Sequence, residues 1–182
     1  MYAYVNLFGK DKKESMVREQ CRVIVLMGVT GCGKSTVGEL LAERLGWIYC
    51  DADDYHPTAN VEKMAQGIAL NDEDRWPWLR GLGDQIGAWL AAGTGAILAC
   101  SALKESYRQI LVDDRAAVRV VHLQGSRELI AERLAARVHR YMPASLLESQ
   151  FQTLEEPSDA LSVDIDATPV AIVEKIRRDL AL

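Results

Sequence analysis

Five short apolar runs recur along the chain and predict five buried β-strands. They are VIVLM at 23–27, WIYC at 47–50, AILAC at 96–100, VRVVHL at 118–123 and LSVDI at 161–165. Longer stretches between them, such as STVGELLAERL and RELIAERLAARV, carry apolar residues at the spacing of an amphipathic helix. Short apolar strands that alternate with helices are typical of a parallel sheet covered on both faces. The pattern therefore predicts an α/β fold with three layers, α/β/α, around a five-stranded parallel sheet.

Two segments depart from this alternation. Residues 1–20 include the charge run KDKKES, which has no amphipathic period, and we expect a flexible N-terminal extension before a single domain at 21–182. The stretch PASLLESQFQTLEEP begins and ends with a proline, which predicts an extra helix between the fourth and fifth strands. A helix inserted at this point suits a mobile cover, so we place a helical lid at about 126–157.

The composition is that of an ordinary globular protein and narrows the choice of partners. Of 182 residues, 49% are hydrophobic and 26% are charged, which is enough for a sizeable core. A formal charge of −5 argues against a surface that binds nucleic acid, which needs clustered cations. No apolar run reaches the roughly 18 residues of a membrane-spanning helix, so no membrane is expected. The absence of a CxxC pair is typical of free thiols in a reducing compartment, and we expect a cytoplasmic protein; the cysteines are Cys21, Cys32, Cys50 and Cys100.

The stretch GVTGCGKS matches the phosphate-loop pattern G-x-x-x-x-G-K-[ST], with a predicted strand before it and a predicted helix after it. Glycines let successive backbone N–H groups turn toward one phosphate chain, and the start of the helix adds its positive end. Lys34 is expected to be catalytic at the β- and γ-phosphates of ATP, and Ser35 to bind Mg²⁺. A chance match in a glycine turn and a nucleotide sensor without turnover are the alternatives. The predicted ATP site comprises Gly28, Val29, Thr30, Gly31, Cys32, Gly33, Lys34, Ser35 and Thr36.

The polar cluster DADDYHP, at 51–57, follows the second predicted strand. Asp51 falls at the carboxyl end of that strand, where ligands bind in open α/β folds, and is expected to hold the metal directly or through a water. If the strand continued, Asp53 would point to the same side and could accept the proton of an attacking hydroxyl. For Asp54 we favour a cap or turn role before the next helix, whereas His56 stays open between a turn-fixing hydrogen bond and a substrate contact. The cluster indicates the acceptor side of a kinase.

Together these motifs resemble the gluconokinase family, small P-loop gluconate kinases of the shikimate-kinase-like group. The resemblance runs from about Arg22 to the C-terminus and rests on GVTGCGKSTVG, LGWIYCDADDYHP, NVEKMAQGIALNDEDRWPWL, ACSALKESYRQIL and LLESQFQTLEEP. It implies the P-loop kinase fold with a helical lid, a homodimer, and Mg²⁺- and ATP-dependent phosphorylation of D-gluconate at its 6-hydroxyl. A related kinase for shikimate or another hydroxy acid is the first alternative. A nucleotide-binding regulator without turnover is the second, although a decayed kinase tends to lose at least one of Lys34, Ser35, Asp51 and Asp53.

A polyhydroxy acid needs a cation for its carboxylate and several hydrogen-bonding groups for its hydroxyls. A guanidinium can hold a carboxylate through two parallel bonds. Candidates for the carboxylate are Arg75, Lys104 and Arg108, and candidates for the hydroxyls are Asp53, His56 and Asp72. Each cation has an alternative: Arg75 could pair with Asp72 or Asp74 at the surface, and the other two could share a solvated helix face.

The predicted lid carries two arginines four residues apart on one helix face, Arg133 and Arg137. In related small kinases, arginines of this region contact adenine and the transferring phosphoryl group, so the resemblance implies that Arg133 binds the nucleotide and that Arg137 is catalytic. A helix face neutralised by neighbouring glutamates is the alternative. Just before the Met, the family usually reads Gly-His-aromatic, whereas this chain has His139 and Arg140 at the first two positions.

Overall fold

The computed structural model describes residues 20–136 and 144–182. Residues 1–19 of the expected extension lie outside this range, so the proposed domain limits stay a prediction. The expected lid region contains two described helices, and residues 137–143 between them are not described. Among the described residues, no helix combines the length and the apolarity needed to cross a membrane.

Strands and helices alternate as predicted, and each strand ends within one residue of its expected limits. The strands are β1 (Val23–Met27), β2 (Ile48–Asp51), β3 (Ala96–Ala99), β4 (Val118–Gln124) and β5 (Leu161–Asp164). The helices are α1 (Lys34–Leu45), α2 (Thr58–Ala65), α3 (Asp72–Ala91), α4 (Glu105–Val112), α5 (Arg127–Ala135), α6 (Ala144–Thr153) and α7 (Pro169–Leu180). A 3₁₀ turn over Ala52–Tyr55 joins β2 to α2.

The five strands form one parallel sheet in the order β2-β3-β1-β4-β5. In its centre, Val23 pairs with Ala96 of β3 on one side and with Val118 of β4 on the other. Because parallel strands all run the same way, their carboxyl ends meet at one edge of the sheet, and Asp51 there lies opposite Ala99. The segments after β1, β2 and β3 therefore begin next to one another, which confirms the predicted fold class and positions the site.

Side chains of β1 alternate between two cores, one on each face of the sheet. Ile24 and Leu26 belong to a cluster with buried residues of α1, α5 and α7. Val23, Val25 and Met27 belong to a second cluster with buried residues of α3 and α4. Full burial of each such side chain contributes roughly 1.5–3 kcal/mol, so packing against the sheet holds the helical layers in place.

Candidate active site

The phosphate loop lies between the carboxyl end of β1 and the start of α1. Its glycines have backbone φ angles that other residues rarely adopt, 140° at Gly28, 84° at Gly31 and 98° at Gly33. At Gly28 an added Cβ would also lie 2.8 Å from the carbonyl oxygen of Leu123. Lys34 begins α1, and its Nζ donates to the carbonyl oxygen of Gly28 at 2.9 Å. The predicted loop therefore has the turn and the positioned lysine that phosphate binding requires.

The remaining loop residues divide into packing and exposed positions. Val29 and Cys32 are buried, and burial raises the pKa of the Cys32 thiol, which keeps it a neutral packing group. Thr36 is exposed on the first turn of α1. The backbone N–H of Thr30 donates to Oε1 of Gln150 on α6 at 2.6 Å. One loop donor is thus bonded to a residue that the sequence did not assign to the site.

Tyr49 connects the two predicted metal ligands. Its hydroxyl lies 3.4 Å from Asp51 Oδ2 and is close enough to the side chain of Ser35 for the two groups to interact. Loss of hydration, with a smaller contribution from Asp51, raises the pKa of Tyr49 to about 12, so the phenol stays neutral. A hydroxyl and a carboxylate are oxygen ligands that fit Mg²⁺, which retains waters and shares its binding with phosphates. No cluster of three or more His, Cys, Asp or Glu suited to a metal occurs in the described parts of the chain.

The segment after β2 differs from the predicted geometry. The strand ends at Asp51 and Ala52–Tyr55 form the 3₁₀ turn, so the expectation that a continued strand would align Asp51 with Asp53 was wrong. Asp51 Oδ1 instead accepts the backbone N–H of Asp53 at 3.1 Å. Asp54 lies within this turn and does not cap α2, whose N-cap residue is Pro57. The 3₁₀ turn therefore brings Asp53 next to Asp51, whereas the prediction relied on the two-residue period of a strand.

Asp53 has the exposure and the charge environment of a proton acceptor. Its side chain is 85% exposed. Partial loss of hydration and repulsion from Asp51 raise the pKa of the Asp53 carboxyl, while the charges of His56 and Lys34 act in the opposite direction. Because water surrounds so much of the side chain, the repulsion from Asp51 is the cause that the geometry supports best. A carboxylate with a raised pKa is a stronger base, which suits general-base chemistry.

His56 lies beside Asp53 in a fixed orientation. Its side chain is 5% exposed, and its ring stacks on Trp78 with centroids 4.1 Å apart. Nδ1 lies 3.4 Å from the Asn60 amide nitrogen, which can only donate, and Nε2 lies 3.9 Å from Asp53 Oδ1. Burial lowers the pKa of His56, so the ring is neutral and its proton is on Nε2, the nitrogen nearest Asp53. His56 therefore has the hydrogen bond expected of a turn-fixing residue and directs one nitrogen toward Asp53, whereas its contact with substrate stays a prediction.

Asp72, at the start of α3, lies beside two of the predicted cations, Lys104 and Arg75. Lys104 Nζ donates to its two carboxylate oxygens at 3.0 and 2.7 Å, and the Tyr107 hydroxyl donates to Oδ1 at 2.5 Å. Arg75 Nη1 lies 3.7 Å from Asp72 Oδ1 and donates to the Tyr107 hydroxyl at 3.3 Å. The hydrogen bonds from Lys104 and then Tyr107 lower the pKa of Asp72. Asp74 is not part of this group, because it pairs with Lys63 at 2.6 Å.

Arg108 is separated from the other predicted cations. It is 4% exposed, and Nη1 donates to the carbonyl oxygens of Ala102 (3.0 Å) and Leu103 (3.1 Å). Nη2 donates to Glu105 Oε2 at 2.7 Å. The guanidinium thus holds the loop before α4, and Lys104 precedes that helix rather than sharing an exposed face with Arg108. We therefore remove Arg108 from the candidate substrate residues.

Comparison with known proteins places this site in a family. A family model described as an AAA domain matches residues 23–157. A gluconokinase of Gluconobacter oxydans is 46% identical over 160 residues, which cover 86% of this chain and 90% of that protein. The chain belongs to the gluconokinase family. A thermoresistant gluconokinase of Escherichia coli is 41% identical over 148 residues, covering 79% of this chain and 85% of that protein.

Solved structures agree with this gluconokinase-family assignment. A gluconokinase structure from Sinorhizobium meliloti 1021 is 40% identical with a TM-score of 0.79, covering 90% of this chain and 93% of that one. A shikimate kinase from Aquifex aeolicus has a TM-score of 0.54 at 18% identity, covering 87% of this chain and 96% of that one, and so shares the fold alone. The resemblance predicted from the motifs is thus confirmed at the level of family and fold.

In this member of the gluconokinase family, only one of the two predicted lid arginines falls in a described segment. Arg133 Nη2 donates to the carbonyl oxygen of Ile165 at 2.7 Å, which holds α5 against the loop between β5 and α7. Arg137 lies outside the described residues, as do His139 and Arg140, so their roles stay predictions.

Besides Tyr49, four residues in contact with the predicted site of this gluconokinase-family member were missed by reasoning from the sequence. Tyr107 joins Asp72 to Arg75, and Asn60 orients His56. In the predicted lid region, Gln150 and Glu155 accept backbone N–H groups from outside the lid. Tyr107 follows Lys104 by three positions, a spacing that signals a shared helix face. Gln150 and Glu155 both occur in the LLESQFQTLEEP motif, which carried the resemblance without a role for any of its residues.

Proposed function

We propose that this chain transfers the γ-phosphoryl group of ATP to the 6-hydroxyl of D-gluconate, with Mg²⁺, to form 6-phospho-D-gluconate and ADP. The observation that carries the proposal is a continuous line of functional groups from the phosphate loop to the cations around Asp72. Lys34 interacts electrostatically with Asp53, which lies 3.9 Å from His56. His56 in turn stacks on Trp78 of α3, and Arg75 of the same helix contacts the Tyr107 hydroxyl. The names of the similar gluconokinases support gluconate as the acceptor.

The reaction uses groups at the phosphate end of this line. Asp53 accepts the proton of the 6-hydroxyl while the oxygen of that hydroxyl bonds to the γ-phosphorus. The bond between the γ-phosphorus and the bridging oxygen of the β-phosphate breaks, and ADP leaves. Lys34 stabilises the charge that develops on the transferred group, and we assign Arg137 to the same task. Mg²⁺ at Ser35 and Asp51 would supply further charge neutralisation on the phosphates. Arg133 lies near the loop that leads to α7 and is assigned to the nucleotide.

The other end of the line recognises the acid. Contacts with the Asp72 carboxylate support a carboxylate-binding role for Lys104 and Arg75, since one lies 2.7 Å and the other 3.7 Å from it. We propose that the gluconate carboxylate binds these two cations and that Asp72 then accepts hydrogen bonds from hydroxyls. Bidentate contact with a planar guanidinium favours a carboxylate over a neutral sugar. His56 and Asp53 contact hydroxyls near the reacting end.

Assembly and location belong to the same proposal. The resemblance to the family implies a homodimer, which light scattering coupled to size-exclusion chromatography measures directly. Cys21, Cys32, Cys50 and Cys100 are all free thiols, which supports a cytoplasmic location.

The test is ADP release with Mg-ATP across D-gluconate, shikimate, glycerate, nucleoside monophosphates and no acceptor, with Lys34→Ala as the matched inactive control. We expect release that requires gluconate, with a product whose phosphorus-31 spectrum is that of a 6-phosphate. Release that requires shikimate instead would support a kinase but refute gluconate as its acceptor. ATP binding without release on any acceptor would favour a nucleotide-binding regulator.

A further inference from the structure

We propose that Gln150 and Glu155 are positioning residues that couple the phosphate loop to the acceptor cation Lys104. They lie at the end of α6 and in the segment that follows it, called here the coupling segment (residues 150–155). The inference rests on the proposed function, because it assigns one end of this segment to ATP and the other to gluconate. It predicts that each substrate raises the affinity of the protein for the other.

Gln150 makes the contact at the phosphate end. Its Oε1 accepts the backbone N–H of Thr30 at 2.6 Å, within a loop whose N–H groups otherwise turn toward phosphate. The same loop packs against the preceding lid helix, since a Cβ added at Gly31 would lie 2.8 Å from the Leu134 side chain. The conformation of the phosphate loop is therefore linked to the position of α6 by a hydrogen bond and to that of α5 by packing.

Glu155 makes the contact at the acceptor end. Its Oε2 accepts the backbone N–H of Glu105 at 2.6 Å, and its own N–H donates to the carbonyl oxygen of Leu103 at 2.9 Å. These bonds hold the residues on both sides of Lys104. Lys104 is itself the N-cap residue of α4 and provides no capping side chain, so Glu155 supplies that acceptor from a distant part of the chain. A carboxylate is also favoured at the positive end of a helix.

The coupling segment can transmit a displacement because it is short and packed. The backbone N–H of Leu154 donates to the Gln150 carbonyl oxygen at 2.9 Å, which continues the helical turn beyond Thr153. The Leu154 side chain is half-buried and packs against both core clusters, one on each face of the sheet. A shift of Gln150 as the loop closes on phosphate therefore moves Glu155, and with it the backbone that carries Lys104.

The experiment measures gluconate affinity by calorimetry with and without a non-hydrolysable ATP analogue and Mg²⁺. In the wild-type chain we expect the analogue to tighten gluconate binding about fivefold or more, a typical coupling between sites. Gln150→Ala and Glu155→Ala, which remove the two accepting oxygens, should each bring this ratio close to one. Gln152→Ala is the matched control, because Gln152 is exposed on the same helix and its side chain donates to Glu148 of that helix. This variant should keep the wild-type ratio.

A charge substitution tests the phosphate contact separately. Gln150→Glu retains an oxygen that can accept the Thr30 N–H, but it places a negative charge beside the phosphate loop. We expect weaker binding of the ATP analogue with an unchanged melting temperature in its absence. A wild-type coupling ratio in Gln150→Ala and Glu155→Ala, or a ratio of one in the wild-type chain, would overturn the proposal. Absence of any gluconate binding by the wild-type chain would instead refute the proposed function, and the coupling with it.

Discussion

Lys104 provides the sharpest test of the acceptor site, because its predicted effects on substrate affinity and on stability differ. Lys104→Met keeps the length of the side chain and removes its charge. If Lys104 holds the gluconate carboxylate, the substitution removes a hydrogen bond between charged groups, worth about 1.5–3 kcal/mol. At 1.36 kcal/mol per factor of ten, the KM for gluconate should rise about 10- to 150-fold.

The effect on stability should be small. The side chains of Lys104 and Asp72 are 30% and 34% exposed, so their ion pair contributes at most about 1 kcal/mol to folding. Asp72 also keeps the hydrogen bond from the Tyr107 hydroxyl. For a chain of this length the melting temperature should therefore fall by no more than about 4 °C.

The assay is steady-state kinetics with gluconate and ATP varied independently, together with thermal unfolding. Lys175→Met is the matched control, since Lys175 forms an ion pair with Asp179 at 2.6 Å on α7, away from the site. It should leave both KM values unchanged. A KM for gluconate in Lys104→Met within twofold of the wild-type value would refute the assignment of Lys104 to the carboxylate. A rise in the KM for ATP alone would move Lys104 to the nucleotide.

Three further substitutions test the base, the loop and the corrected arginine. Asp53→Asn should lower kcat by about 10²- to 10⁴-fold while ATP-analogue binding persists, and a normal kcat would return Asp53 to a turn residue. The pKa of Asp53 is raised in the folded state, so its charged form disfavours folding, and Asp53→Asn should increase the melting temperature at pH 7. This difference in melting temperature should vanish as the pH falls below the ordinary carboxyl range. The wild-type rate should fall as the pH drops through the raised pKa. Gly28→Ala should weaken both folding and ATP-analogue binding. The backbone strain costs about 1–3 kcal/mol, and the added Cβ would also clash with the carbonyl oxygen of Leu123. Thermal unfolding measures the first effect and fluorescence titration the second. Arg108→Met leaves two carbonyl oxygens without their donor and should cost at least about 2 kcal/mol of stability in chemical denaturation, whereas a KM effect at unchanged stability would restore Arg108 to the substrate site.

Predictions of the fold succeeded where the signal was local and repetitive. β1 is apolar at every position because both faces of a central parallel strand are buried, and all its residues are buried in the structure. Strand limits were accurate to one residue for the same reason. The start of α1 at Lys34 followed from the phosphate-loop motif immediately before it.

Predictions about the site were inaccurate where the bonding partners of a side chain depend on how its segment packs. Arg108 and Lys104 are both cations of one short motif, yet one is buried against loop carbonyls and the other reaches Asp72. Their difference depends on which side of α4 faces the core, and four-residue spacing alone does not decide this. Asp53 was assigned to the acceptor side through a strand geometry that the 3₁₀ turn replaces.

The sequence by itself determined the order of the elements, the phosphate loop and the family, because each depends on residue types at short, regular spacing. Only the tertiary structure decided which polar groups meet: Tyr49 between Ser35 and Asp51, Tyr107 beside Asp72, and Gln150 on Thr30. Gln150 and Thr30 are 120 positions apart, and the residues around each of them do not indicate that the two form a hydrogen bond. The physical reason is that parallel strands bring separate connections to one edge of the sheet, where a hydrogen bond depends on distances in space rather than along the chain.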